Sequence, residues 1–139
     1  MTIVEMLARN ARRYPNAPAL IELQPSKKIR REIIWKEFDE RVNRLANALI
    51  DRSIRKGDRV IHLMMNSINW LEAYFGILKT GTWAVPLNFR FISPQIKYSV
   101  DIAEPKAMIL GGRIYRKSRS YSLAVTDDKE LHFCWPKPA

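Results

Sequence analysis

The sequence predicts an α/β fold: a partial, mostly parallel sheet with flanking helices, preceded by a helix and a short antiparallel hairpin. Two short apolar runs, 60–65 and 83–87, flank a segment, 69–79, whose apolar residues recur at helical spacing. A helix signal over 93–104 and a third apolar run over 106–110 follow. A strand, a helical crossover of this length and a second strand almost always form a right-handed parallel pair. The alternation of helix and strand from residue 36 onward therefore favours a parallel sheet with helices on its faces.

The N-terminal segment predicts one helix and one hairpin. Thr2 and Glu5 have the spacing of a capping box, and Pro15 ends the helix that they open. Two apolar-rich runs, Ala19–Leu23 and Ile29–Trp35, are separated by a short polar segment. This arrangement indicates paired antiparallel strands with their connection on the surface.

The clearest helical pattern runs from Lys36 to about Arg52. Acid-to-base pairs four residues apart, Glu37 with Arg41 and Glu40 with Arg44, favour the helix, and we interpret them as part of a solvated outer face. The apolar positions of one stripe are Phe38, Val42, Leu45, Ala46, Leu49 and Ile50.

The central strand-helix-strand unit has marked ends. Asn69 is predicted to cap its helix, with Glu72 in the place of a capping-box acid, and Gly81 to terminate it. Both strands are predicted to be buried, and Pro86, which lacks a backbone donor, fits best near the end of the second one.

The next helix is predicted to begin with Ser93 as cap and Pro94 in its first turn, and to stop at Glu104. The pair Gly111–Gly112 indicates a turn after the third strand. Beyond it the sequence changes character, with one strand signal at 121–126 and a turn signal at Asp127–Asp128.

Composition limits the function classes. A net charge of +10 admits nucleic acid, an anionic membrane face or an anionic ligand as partner. Nucleic acid is disfavoured because the densest basic cluster lacks interleaved aromatic residues and no recognition-helix or RNA-module pattern accompanies it. The single Cys134 excludes an internal disulfide framework, and no secretory leader or membrane-spanning run is present, which favours the cytoplasm. The basic cluster consists of Lys27, Lys28, Arg30 and Arg31.

Several motifs of the central unit carry a family resemblance. The segments KGDRV, LKTG and AVPLNFR, in this order and spacing, resemble the amino-terminal portion of the adenylate-forming acyl-CoA synthetases, the AMP-binding ligases. The similarity is closest to the fatty-acyl and aryl-acid CoA ligases, and it extends from about Thr2 to about Leu110. We therefore predict residues 1–112 to be an incomplete amino-terminal part of such a ligase domain. Residues 113–139 are predicted to be an unplaced tail, out of frame or poorly ordered.

The resemblance implies a two-step reaction in the parent enzyme. A carboxylate attacks the α-phosphate of ATP to give an acyl-adenylate and pyrophosphate, and the thiol of CoA then displaces AMP. In the family this chemistry uses ATP, Mg²⁺ and CoA, a Ser/Thr/Gly-rich loop ending in Pro-Lys, an aromatic-Gly-x-Thr-Glu segment, an Asp that holds the ribose, and a C-terminal lysine. None of these motifs is present in this sequence. We therefore expect no catalytic residue and no bound cofactor in this chain alone.

One loop is a candidate site. Ligands of parallel sheets bind beyond the carboxyl ends of the strands, where Asn88 and Arg90 follow the second strand. The resemblance implies that the corresponding loop approaches the CoA nucleotide, so we predict cofactor contacts from these two residues. The alternative is that Arg90 pairs with a local acid.

No metal site is predicted. His62 lies in a buried apolar run, and His132 with Cys134 offers too few ligands. Asp58 is interpreted as a turn acid, and Asp101 and Glu104 as residues near a helix end.

Two functional interpretations remain open. The first is a truncated N-terminal part of an ATP-dependent acid–CoA ligase, inactive alone, whose partners are the missing remainder of the ligase or, through exposed apolar surface, other copies of itself. The second is a noncatalytic binding module built on the same subdomain. The acyl substrate, the integrity of the gene and the oligomeric state do not follow from the sequence.

Overall fold

A computed structural model describes residues 1–111 and, beyond them, the backbone of two strands, 122–125 and 131–135. The elements, in chain order, are α1 (Ile3–Arg13), β1 (Pro18–Gln24), a 3₁₀ turn (Pro25–Lys27), β2 (Ile29–Ile34), α2 (Trp35–Asp51), β3 (Arg59–Leu63), α3 (Ile68–Lys79), β4 (Trp83–Pro86), α4 (Ser93–Ala103), β5 (Ala107–Gly111), β6 (Ser122–Val125) and β7 (Leu131–Trp135).

The strands form two sheets. β1 and β2 make a two-stranded antiparallel sheet, and the others form a five-stranded sheet in the order β4-β3-β5-β7-β6. β3 is parallel to both β4 and β5, which confirms the predicted α/β class with its parallel strands and preceding hairpin. β7 pairs antiparallel with β5 and β6 with β7, and β6 falls within the predicted strand 121–126. The turn predicted at Asp127–Asp128 lies outside the described residues.

The two crossover helices cover opposite faces of this sheet. Val60 and Ile109 point towards α3, where they pack with Ala73 and Ile77. Ile61 and Leu63 point to the other face, where α4 packs against them. The strand β3 is therefore buried on both faces, as the sequence predicted, because residues 60–63 contribute to both layers.

The first third of the chain packs onto the outside of α3. Leu7 of α1, Ile33 of β2 and Phe38 of α2 meet Ile68 in one buried cluster. Helices α2 and α3 approach so closely at Gly76 that a Cβ there would lie 2.6 Å from the Leu45 Cδ2 atom. A glycine in mid-helix is thus required by the packing of the neighbouring helix.

The capping box of α1 is confirmed. The Thr2 hydroxyl accepts a hydrogen bond from the Glu5 N–H at 3.2 Å, and the Glu5 carboxylate accepts one from the Thr2 N–H at 2.6 Å. All atoms involved lie within four consecutive residues, which explains why the motif could be read directly from the sequence.

The predicted cap of α3 is wrong. The N-cap is Ser67, whose hydroxyl accepts the Trp70 N–H at 3.1 Å. Asn69 and Glu72 instead lie inside the helix and are buried. The helix begins two residues earlier than the predicted cap implies, and the Glu72 side chain contacts Arg41 of α2.

Two smaller predictions also need correction. The N-cap position of α4 is Ile92, and Ser93 is its first residue, so the start is displaced by one position. The strand β4 is not a buried strand: it lies at one edge of the described sheet, and the Trp83 side chain is 68% exposed. An apolar run of four or five residues cannot by itself distinguish an edge strand from a central one.

Candidate functional site

The candidate site is the edge of the sheet between the loops that follow β3 and β4. The first loop, 64–67, leads to α3, and the second, 87–92, leads to α4. These helices lie on opposite faces of the sheet, so the chain leaves β3 towards one face and leaves the neighbouring β4 towards the other. Such a switch point is where open α/β sheets bind ligands.

The loop 87–92 is anchored to β3 and shaped by Asn88. The Leu87 N–H donates to the His62 carbonyl at 3.0 Å, which extends the contact between the two strands. The Asn88 side-chain oxygen accepts the Arg90 N–H at 3.0 Å, and its carbonyl accepts the Phe91 N–H at 2.9 Å. Asn88 thus uses its own side chain to close a turn, an arrangement that Asn favours.

Arg90 is presented to solvent by this turn. Its guanidinium carbon lies 5.4 Å from the centre of the Phe89 ring, a cation–π contact that restricts the side chain. Within residues 1–111 no carboxylate forms an ion pair with it, so the structure does not bring it to the local acid considered as the alternative. An exposed cation next to a hydrogen-bonded turn is suited to binding a phosphate. The contact of Asn88 and Arg90 with a cofactor stays a prediction.

On the α3 side of this edge, an anionic side chain already contacts the start of the helix. Glu22 of β1 reaches across to α3, and its Oε2 atom accepts the Ile68 N–H at 2.9 Å. The N-terminus of α3 is therefore neutralised by a carboxylate of the chain itself, where a helix start could otherwise bind a phosphate. Sequence reasoning missed this contact because the two residues are 46 positions apart.

The environment of Glu22 changes its ionisation. Burial favours the neutral form, but the hydrogen bonds from Ile68 and Gln24 and the charge of Arg31 outweigh it and lower the pKa of Glu22 below its ordinary 4.5. A lowered carboxylate pKa stabilises the fold above the unfolded-state value. This contribution is lost as the pH falls through the lower, folded-state pKa.

The substitution Glu22→Gln is expected to reduce the free energy of unfolding at pH 7 by about 1 kcal/mol, because it removes the charge at the start of α3 but keeps an acceptor. Urea unfolding of the 139-residue chain measures the change. Glu32→Gln on β2 is the matched control: its carboxylate pairs with Arg30 on the exposed side of the hairpin, so a loss below about 0.5 kcal/mol is expected. Equal losses in the two variants would contradict the capping role of Glu22.

His62 is the most completely buried titratable group of the described residues. The side chain is 0% exposed, and neither ring nitrogen has a hydrogen-bond partner there. Its ring centre lies 4.7 Å from that of Trp70 and 5.8 Å from that of Tyr74. Burial lowers the pKa of His62 to about 4, so the imidazole is neutral at physiological pH. The predicted buried position is confirmed.

A partly buried ion pair joins α2 to α3. Arg41 donates to Glu37 at 2.6 Å, the predicted pair within α2, but its other nitrogen donates to Glu72 of α3 at 3.0 Å. The interpretation of Arg41 as part of a purely solvated face is therefore wrong. Burial alone would lower the pKa of Arg41, but the carboxylates of Glu37 and Glu72 outweigh this effect and raise it.

The remaining acids have structural roles. Asp58 accepts the Arg55 N–H at 2.6 Å in a turn, as predicted, and this bond is the main reason that the pKa of Asp58 lies below its ordinary value. Lys97 donates to Asp101 at 2.6 Å on α4, and Glu104 occupies the left-handed position that ends this helix.

The described ranges contain no group of three or more His, Cys, Asp or Glu residues that could hold a metal ion. The side chains of His132 and Cys134 lie outside the description. No helix in the described part of the chain is long and apolar enough to cross a bilayer.

Comparison with known sequences identifies a family over most of the chain. The profile of the AMP-binding enzyme family matches residues 7–135. This range continues past Leu110, where the resemblance drawn from short motifs ends. The predicted boundary at residue 112 remains a prediction.

Curated relatives are fatty-acid ligases. The chain is 33% identical over 106 residues to the long-chain-fatty-acid–CoA ligase FadD13 of Mycobacterium tuberculosis, which covers 76% of this chain and 20% of that protein. It is 30% identical over 108 residues to a medium-chain-fatty-acid–CoA ligase of Ectopseudomonas oleovorans, covering 78% of this chain and 20% of that protein. The chain thus spans about a fifth of the length of these relatives.

A solved structure shows the same fold. The inhibitor-bound N-terminal domain of FACL13 from Mycobacterium tuberculosis superposes with a TM-score of 0.73 at 30% identity, over 86% of this chain and 30% of that one. The parallel strands, crossover helices and hairpin described above are thus those of an acyl-CoA synthetase N-terminal domain. Together with the match over residues 7–135, this shows that the chain belongs to the AMP-binding enzyme family, among the fatty-acyl-CoA ligases.

Proposed function

We propose that this chain forms the amino-terminal part of an ATP-dependent fatty-acid–CoA ligase that acts in the cytoplasm. The observation that carries the proposal is the family match over residues 7–135, with relatives named as fatty-acid–CoA ligases. In the complete reaction a fatty-acid carboxylate attacks the α-phosphate of ATP and releases pyrophosphate. The CoA sulfur then attacks the acyl carbon, the thioester forms and AMP leaves.

The described residues do not fit ATP and Mg²⁺. The phosphate-loop motifs of the family are absent from the sequence, the start of α3 is neutralised by Glu22, and residues 1–111 hold no acidic cluster for a cation. The negative charge that develops on phosphate oxygens in this reaction is stabilised by backbone N–H donors, a cationic side chain and a bound metal ion. We therefore propose that the 139-residue chain alone is inactive and that residues outside it supply the nucleotide site.

A chimera tests the function. The whole 139-residue chain replaces the first fifth of FadD13, to which it is similar, and fatty-acid-dependent exchange of pyrophosphate into ATP is measured for the chimera and for the chain alone. Exchange by the chimera and none by the chain is the expected result. Exchange by the chain alone would overturn the proposed inactivity. A folded chimera without exchange would favour the noncatalytic binding module instead.

The charge of the loop that contains Asn88 and Arg90 is suited to the phosphates of CoA. Arg90 is an exposed cation held by the Asn88 turn beside a switch point of the sheet, so a phosphate of the CoA nucleotide is the ligand class that we assign to it.

In the active chimera Arg90→Ala is expected to raise the KM for CoA by about 3- to 10-fold, because an exposed charge–phosphate contact is partly screened by solvent. The KM values for fatty acid and ATP should change by less than about 2-fold. Arg12→Ala, which removes an exposed cation from α1, is the control and should leave all three values unchanged. An equal rise of the KM for ATP would contradict the assignment.

A further inference from the structure

The strand β1 carries aliphatic side chains on both faces. Leu20 packs inward against the cluster around Leu7, whereas Ile21 and Leu23 point outward and are 51% and 63% exposed. The inward position between them is a glutamate, Glu22. A strand of a one-sided sheet alternates apolar residues inside with polar residues outside, and aliphatic residues on both faces are typical of a strand that is covered on both.

The neighbouring strand completes a compact patch. In the hairpin register Ile21 lies opposite Glu32, and Leu23 lies opposite Arg30. Arg30 and Glu32 form an ion pair at 2.6 Å, so their charges compensate each other. We call these four residues the outer hairpin face. Arginine is enriched at protein interfaces, whereas a lipid or nucleic-acid surface would favour cations on this face that are not already paired within the chain.

The outer hairpin face is anchored from its inner side by contacts with the rest of the chain. Glu22 fixes the other side of β1 to the start of α3 at 2.9 Å, and Ile33 of β2 is 4% exposed in the core. The patch therefore needs little ordering before it binds a partner. A second exposed apolar pair, Tyr98 and Ile102, lies on α4 beside the ion pair of Lys97 and Asp101. It differs because an amphipathic helix needs only one covered face, and α4 already packs on the sheet through Ile96 and Val100.

We propose that the outer hairpin face docks an apolar segment from the remainder of the ligase polypeptide. This inference rests on the proposed function. The similar ligases are about five times as long as the matched segment, since the match covers 20% of each, so a large part of the polypeptide is available to cover this face. A second copy of this chain is the competing occupant.

Thermal unfolding with and without the remainder tests the proposal. In the 139-residue chain the pair Ile21→Lys and Leu23→Lys places lysines on an exposed face, so the Tm is expected to fall by less than about 2 °C. In the FadD13 chimera the same pair would be buried against the docked segment, and the Tm is expected to fall by about 5 °C or more. The control pair, Tyr98→Lys and Ile102→Lys, should change the Tm by less than about 2 °C in both proteins.

Equal shifts of the hairpin pair in the two proteins would overturn the proposal. So would sedimentation of the 139-residue chain as a dimer that the hairpin pair abolishes, because the occupant would then be a second copy. If the chimera does not accumulate, the remaining four-fifths of FadD13 is supplied as a separate polypeptide. The hairpin pair should then weaken its binding at least 10-fold and the control pair less than 2-fold, and absence of binding by the unmodified chain would overturn the proposal.

The ligase assay separates the two proposals. A chimera that shows the selective Tm shift without activity retains the docking face and contradicts the ligase function. An active chimera without the selective shift retains the function and contradicts the docking face.

Discussion

The variant His62→Leu is expected to lose less stability than the unmodified protein as the pH falls from 7 to 4. In the folded protein burial holds the pKa of His62 at about 4, whereas an unfolded histidine titrates near 6.5. The unfolded state therefore binds more protons between these values, and the stability that the neutral buried ring provides is present above about pH 6.5 and lost as the pH falls towards 4. The difference between the two pKa values corresponds to about 3 kcal/mol of unfolding free energy.

Urea unfolding at pH 7, 6, 5 and 4 measures this effect. The difference in unfolding free energy between His62→Leu and the unmodified chain should rise by about 3 kcal/mol across the range, in favour of the variant. The acids do not account for such a difference, because Glu22 and Asp58 are present in both proteins. The other histidine provides the control variant, His132→Leu. A pH dependence that persists in His62→Leu and disappears in His132→Leu would refute the assignment.

The variant Arg41→Ala is expected to reduce the free energy of unfolding by about 2 to 4 kcal/mol, because it leaves the Glu72 carboxylate buried without the guanidinium. The Glu72 side chain is 4% exposed and that of Arg41 28%, so the pair is only partly screened by water. The double variant Arg41→Met with Glu72→Leu should lose less than Arg41→Ala alone, since it removes both charges and keeps the volume.

Urea unfolding at pH 7 provides the comparison. Lys97→Ala, which breaks an ion pair whose side chains are 74% and 58% exposed, is the control and should cost less than about 0.5 kcal/mol. Similar losses for Arg41→Ala and Lys97→Ala would show that the α2–α3 pair contributes no more than a surface pair.

The features that could be predicted from the sequence are those determined within a few residues. The capping box of Thr2 and Glu5 and the helical periodicity of α2 involve neighbours in the chain. The parallel pairing of the strands followed from the lengths of the runs and crossovers. The position of the loop at Asn88 followed from the end of the second apolar run at Leu87, and its contact with a ligand stays a prediction.

The features that were missed depend on contacts between distant residues. The start of α3 is neutralised by Glu22, and Arg41 pairs with Glu72, 31 positions away. The exposure of Trp83 depends on β4 being an edge strand, which is a property of the assembled sheet. A short sequence pattern does not determine which residues of distant elements will contact it in the folded protein.

The bond from Glu22 to the Ile68 N–H has a consequence for the order of folding. Glu22 of the hairpin and Ile68 in the first turn of α3 are 46 positions apart, and the Ile68 N–H lacks this acceptor until the hairpin has arrived. Closing the chain between them costs entropy before the contact forms, so this pairing belongs to the late stages of folding. The α1–hairpin–α2 segment and the parallel strands should consequently unfold together in one transition, and an isolated segment 1–52 should not retain its hairpin.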